Sequence, residues 1–199
     1  MAEIEYYYDF GSPNAYIAHK MLPGIAAKHG ATLTYRPALL GGIFKATNNK
    51  APLMAFADVA GKVDYIRTEF GRFIERHALA FQWNPHFPVN TLALMRAAVF
   101  ASGKDWEGQF LDAGFDAMWL NGKDMSQPDV FLEVLKAAGL PAEDIVAATQ
   151  SPEIKGRLAE VTEAAIARKV FGAPTMFLND EMFFGKDAMN DLDWRLGQG

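Results

Sequence analysis

Tyr6-Tyr7-Tyr8-Asp9-Phe10-Gly11-Ser12-Pro13-Asn14-Ala15 is the stretch whose reading decides the fold. Around its start the residues alternate, with Ile4, Tyr6, Tyr8 and Phe10 on one face and Glu3, Glu5, Tyr7 and Asp9 on the other. That pattern predicts a strand over residues 3–10. Ser12 is a good N-cap and Pro13 suits the first helical position, so a helix opens directly after the strand. It continues through Tyr16, Ile17 and Met21, bends at Leu22-Pro23 and ends at Gly30. Ala31 to Tyr35 then supplies a second strand. A small hydroxyl therefore stands on a strand-to-helix junction, where unpaired helix N–H groups converge.

Working outward, Leu39 to Asn49 reads as a glycine-containing connector with at most a short helical turn. Lys62 to His77 carries a helical stripe of Val63, Ile66, Phe70, Phe73 and Ile74. Phe81 to Asn90, with Pro85 and Pro88, is a loop. Thr91 to Ala101, Trp106 to Leu120, Pro128 to Ala138 and Pro141 to Thr149 are four more helices. Pro152 to Arg168 forms another helix. Thr175 to Leu178 and Glu181 to Phe184 are short strands joined by the turn Asn179-Asp180, and a last helix spans 187–196. The order is strand-helix-strand, a helical block, then helix-strand-strand-helix. The outer parts combine into one small sheet with helices packed on it, and the middle is an insertion. With no linker rich in proline or serine, the insertion packs against the sheet part.

Half of the 199 residues are apolar and 13% are aromatic, enough for a large core. The net charge of −5, with scattered Lys and Arg, argues against nucleic-acid and anionic-membrane binding. There is no cysteine, which excludes disulfides, thiolate metal sites and a protein-borne thiol nucleophile. The N-terminal Met-Ala-Glu-Ile-Glu lacks the basic and apolar regions of a signal peptide, and no window reaches the ~18 apolar residues of a membrane span. The expectation is a cytoplasmic protein. His19, His29, His77 and His86 lack the spacing of a shared metal site, so no metal is expected. Arg72 reads as an internal salt-bridge partner.

Strand, tight turn, helix, and a proline before a late hairpin are the layout of thioredoxin-like folds. Those proteins usually carry Cys-x-x-Cys at the turn, and the matching tetrapeptide here is Ser12-Pro13-Asn14-Ala15, so thiol-disulfide exchange is ruled out. The chain resembles the one branch with serine at that position: 2-hydroxychromene-2-carboxylate isomerases and kappa-class glutathione transferases. The resemblance covers nearly the whole chain. It rests on Tyr-Asp-Phe-Gly-Ser-Pro (8–13), Arg-Pro-Ala-Leu-Leu-Gly-Gly-Ile-Phe-Lys-Ala-Thr-Asn-Asn-Lys (36–50) and Pro-His-Phe-Pro-Val-Asn-Thr (85–91). Val-Phe-Gly-Ala-Pro-Thr (170–175) and Phe-Phe-Gly-Lys-Asp (183–187) complete it. The second and third segments look closer to the isomerases, whereas Lys186 departs from the serine of the transferase Phe-Gly-Ser-Asp.

The resemblance implies an α/β fold, a thioredoxin-like sheet domain (1–40 and 151–199) with a large all-helical insertion (41–150). It implies glutathione as cofactor and cis/trans isomerisation of 2-hydroxychromene-2-carboxylate, or a close bicyclic relative, to trans-o-hydroxybenzylidenepyruvate. The partner is a small aromatic substrate, and a homodimer is implied too. A kappa-like transferase and a non-catalytic glutathione-binding protein are the alternatives. On spacing alone Ser12 is a helix cap; the resemblance adds that its hydroxyl holds the glutathione thiolate, making it the catalytic residue. Ala173 and a cis Pro174 would pair with the cysteinyl part of glutathione. Gly185, Lys186 and Asp187, which otherwise read as a helix start, would hold its γ-glutamyl end, with the Lys186 contribution reduced to its backbone N–H. Lys45 and Asn49 would bind the substrate carboxylate, phenolate or pyruvyl end. Trp83 would lie near the substrate ring, or equally anchor its loop.

Overall fold

The computed structural model describes residues 2–198. Its first strand, β1 (Glu3–Tyr8), pairs in parallel with β2 (Thr32–Pro37) across the helix α1 (Pro13–His29). The hairpin β3 (Thr175–Leu178) and β4 (Glu181–Phe184) joins antiparallel on the other side of β1, giving the order β2-β1-β3-β4. Between β2 and β3 come the helices α2 (Leu40–Thr47), α3 (Pro52–Ala55), α4 (Lys62–Arg76) and α5 (Leu92–Ala101). They are followed by α6 (Glu107–Trp119), α7 (Pro128–Ala137), α8 (Ala142–Ala148) and α9 (Pro152–Ala167). The last element is α10 (Met189–Leu196). This is the thioredoxin-like sheet with a helical insertion that the sequence implies.

The alternation of β1 explains its place. Ile4, Tyr6 and Tyr8 are fully buried in a core that also takes in α1 and α4 to α9. Tyr7, on the other face, is buried with Ile43, Ala165, Val170 and Phe177. The central strand is thus covered on both sides, and one continuous apolar core joins the sheet helices to the inserted ones. Packing is close at Gly114 of α6, where an added Cβ would lie 2.7 Å from the Phe10 ring.

Four local expectations are corrected. β1 ends at Tyr8 rather than residue 10, because Asp9 leaves the ladder to accept hydrogen bonds from the turn it precedes. The connector after β2 is a two-turn helix, α2, closed by Asn48 in the left-handed conformation (φ 52°). α1 runs unbroken through Pro23. The last helix starts at Met189, two residues late, since Gly185 at φ +84° makes a turn that a side chain would disfavour. Arg72, expected in a salt bridge, lies exposed on α4 and forms no ion pair among the described residues. No helix is long and apolar enough to cross a membrane among the described residues.

Candidate active site

Ser12 is the N-cap of α1, with extended backbone (φ −98°, ψ 117°) and an Oγ that accepts from the Ala15 N–H at 3.2 Å. Its own proton goes elsewhere. The hydroxyl donates to the carbonyl of Ala173, 161 residues away, at 2.8 Å. Ser12 is buried, and the Ala173-Pro174 peptide facing it is cis, as the resemblance implies. The hydroxyl therefore both caps the helix and touches the Ala173-Pro174 loop. The N–H groups of Asn14 and Ala173 meet no acceptor among the described residues. Both lie next to the Ser12 hydroxyl in sequence or by contact, at the positive end of α1.

The turn that presents Ser12 is fastened by Asp9, which the sequence reading passed over as an outward strand residue. Asp9 is 1% exposed. Its carboxylate accepts from the Gly11 N–H and the Thr91 hydroxyl on one oxygen, each at 2.8 Å, and from the Leu40 N–H on the other, also at 2.8 Å. One side chain thereby joins the β1–α1 turn to the starts of α2 and α5. Burial pushes the Asp9 carboxyl above the usual carboxylate range, and its three donors pull it back in part. On the far side of the turn, the Trp119 indole donates to the Phe10 carbonyl at 2.7 Å.

Gly185 donates its N–H to the Pro174 carbonyl at 3.0 Å, which brings the 185–187 corner against the Ala173-Pro174 loop. There the Lys186 side chain, only 5% exposed, turns away from the loop. Its ammonium bonds Glu69 of α4 at 2.6 Å and Asp187 at 2.9 and 3.0 Å, and lies 4.5 Å from the centre of the Phe73 ring. This charge thus ties the corner to an inserted helix, and Asp187 keeps an exposed carboxylate, 77% accessible. Phe73 was visible in sequence as part of a helical stripe and Glu69 was not singled out; their partner is more than a hundred residues distant.

Asn49 reaches the same loop, but both ends of its amide are engaged inside the chain. Its Nδ2 donates to the Phe171 carbonyl and its Oδ1 accepts from the Lys50 N–H, each at 2.8 Å. Phe171 and Phe184, both exposed, meet at a 45° tilt with centroids 4.4 Å apart beside this loop. Lys45 is exposed one turn before Asn49 on α2, and no contact ties it to Ser12. Trp83 is half-buried in a cluster with Phe70, Phe81 and Trp119 (centroids 5.0, 5.2 and 6.4 Å), and of these Trp119 bonds the Phe10 carbonyl. Ser12, Ala173, Pro174 and the 185–187 corner are therefore contiguous and Asn49 bonds that loop, whereas no hydrogen bond or ring contact joins Lys45 or Trp83 to it among the described residues.

A DSBA-like thioredoxin domain model matches residues 3–197 of this arrangement. A 2-hydroxychromene-2-carboxylate isomerase of Pseudomonas sp. (strain C18) is 32% identical over 199 residues, covering 98% of this chain and 90% of the relative. The chain belongs to the 2-hydroxychromene-2-carboxylate isomerase family. The family's solved fold agrees: the structure of a 2-hydroxychromene-2-carboxylate isomerase superposes with a TM-score of 0.87 at 26% identity, covering 98% of this chain and 95% of that one. The glutathione S-transferase kappa 1 of Homo sapiens is similar too, at 27% identity over 98% of this chain and 91% of its own length. Within the DSBA-like thioredoxin family, a chain without cysteine therefore sits in an isomerase branch beside a glutathione-using one.

Proposed function

We propose that the protein is a glutathione-dependent cis/trans isomerase of 2-hydroxychromene-2-carboxylate or a close bicyclic relative, acting in the cytoplasm on small aromatic acids. One observation carries the reading. In a cysteine-free member of an isomerase family, a buried serine hydroxyl at a helix N-terminus is bonded to a carbonyl whose own residue has an unused N–H.

These residues fit a cysteinyl tripeptide. The Ala173 C=O and N–H together present the acceptor and donor that an extended peptide needs, in the manner of an added strand. The Ser12 hydroxyl can rotate from the Ala173 carbonyl to a sulfur, releasing that carbonyl to accept a peptide N–H. At the far end, the exposed Asp187 carboxylate suits a γ-glutamyl ammonium, and the N–H groups following Gly185 suit its carboxylate. Glutathione, when bound, supplies a thiolate that adds reversibly across a substrate double bond and so permits rotation. The chain's own part is electrostatic. A free thiol titrates near ~8.5, and a helix N-terminus with a hydroxyl donor favours the charged form at neutral pH. Lys45 would offset negative charge developing on the substrate oxygens, and Trp83 would flank the ring. Asn49, one amide N–H of which holds the Phe171 carbonyl, keeps a second N–H that would bond the pyruvyl end of the substrate.

Total free thiol measured during turnover tests the choice of outcome. It stays constant for an isomerase and falls stoichiometrically for a kappa-like transferase. Glutathione binding by calorimetry without conversion of either substrate type would instead mark a binding protein.

A further inference from the structure

A second cleft lies at the β2 edge of the sheet, away from Ser12. It has a volume of about 390 Å³ and opens between the β2 edge, the end of α5 and one face of α9. That volume falls in the range of small-molecule sites, about 300–1,000 Å³. None of Ser12, Ala173, Pro174, Gly185, Lys186 or Asp187 lines it. The α9 face is made by Arg157, Val161, Ala164 and Arg168, at helical spacing, so two cations bracket an apolar strip. Val99, Pro37 and the rings of Tyr7 and Tyr35 complete the apolar wall.

The charges in this wall are unbalanced. Arg36 and Arg168 both clamp Glu5, at 2.9 and 2.6 Å, one on each carboxylate oxygen. Glu3 lies at 4.0 Å from Arg36 and offsets part of its charge. Arg168 is further fixed by the Tyr7 hydroxyl at 2.9 Å and lies 4.0 Å from the centre of the Phe177 ring. Arg157 has no hydrogen bond or ion pair among the described residues. Three guanidinium groups thus face one carboxylate in the lining of a chain whose net charge is −5. A local positive field over an apolar strip selects an amphipathic anion, with the planar guanidinium of Arg157 suited to a carboxylate.

We infer that this cleft is a second ligand site, for a flat aromatic monocarboxylate held by Arg157 over the Val161–Ala164 strip. The inference does not depend on what happens at Ser12. It is tested by titrating the whole protein with 2-naphthoate, following heat and backbone amide shifts, with and without saturating glutathione. The expected result is binding unchanged by glutathione, with shifts concentrated at residues 35–37, 99–102 and 157–168. Arg157→Glu, an exposed substitution, should weaken this binding about tenfold or more while leaving isomerase turnover unchanged. Val161→Trp, which fills the strip, should remove it. Absence of binding at those residues, or binding there that Arg157→Glu leaves intact, overturns the inference. So do shifts confined to Ser12, Ala173 and the 185–187 corner.

Discussion

Ser12 has two bonds and therefore two measurable roles. Ser12→Ala removes the cap on the Ala15 N–H, at a stability cost of about 1 kcal/mol. It also removes the donor aimed at the Ala173 loop, and turnover at saturating glutathione should fall by about a hundredfold or more. A variant that loses stability but keeps its turnover would leave Ser12 as a cap alone. Asp9 acts one step back. Asp9→Asn sets an amide NH2 against at least one of the Gly11, Leu40 and Thr91 donors, so denaturant unfolding should show a loss of about 1–3 kcal/mol. At this scale the sequence was half legible. The cap pattern Ser12-Pro13 announced the junction by local chemistry, but Asp9 looked like any outward strand residue. Two of its three donors lie 31 and 82 residues away, at the starts of α2 and α5, and no local pattern records them.

Between elements, Lys186 fastens the corner after β4 to α4 through Glu69 and the Phe73 ring. Lys186→Met leaves Glu69 and Asp187 facing each other without a countercharge. It should cost about 1–3 kcal/mol and speed amide exchange around residues 69–73, with α1 unaffected. Unchanged exchange in α4 would show that the apolar contacts alone hold it. A second bridge joins α1, β2 and α6: His19 bonds the Tyr35 hydroxyl at 3.1 Å and Asp112 at 2.8 Å, and stacks on Phe115. Burial pushes the imidazole below its usual value, with Asp112 pushing back. Folded His19 therefore binds fewer protons than unfolded His19, and stability declines as pH falls below the ordinary histidine value of about 6.5. His19→Gln should flatten that part of the stability profile between about pH 7 and pH 5; an unaltered slope would assign it to other groups. Helix α4 was readable from its stripe and α2 was not. The eight residues of α2 have two glycines at the start and a single buried side chain, Ile43, so tertiary contact rather than periodicity makes them helical.

Taken whole, the molecule is a thioredoxin-like sheet whose inserted helices share its core, and the site forms where the ends of β1 and β3 meet the corner after β4. The order of elements and the five motifs carried the fold and the family, because strand alternation, caps and turn residues are local signals. The convergence of Ser12 with Ala173 is what the resemblance implies, whereas the inward turn of Lys186 and the internal use of the Asn49 amide needed the folded chain. The central claim is that the thiol this cysteine-free chain lacks is supplied by glutathione opposite Ser12. It is tested most directly by following the absorbance of 2-hydroxychromene-2-carboxylate with the purified protein, with and without added glutathione. The prediction is conversion to the trans product only when glutathione is present, with the total free thiol unchanged at the end. Conversion at the same rate without glutathione would contradict it.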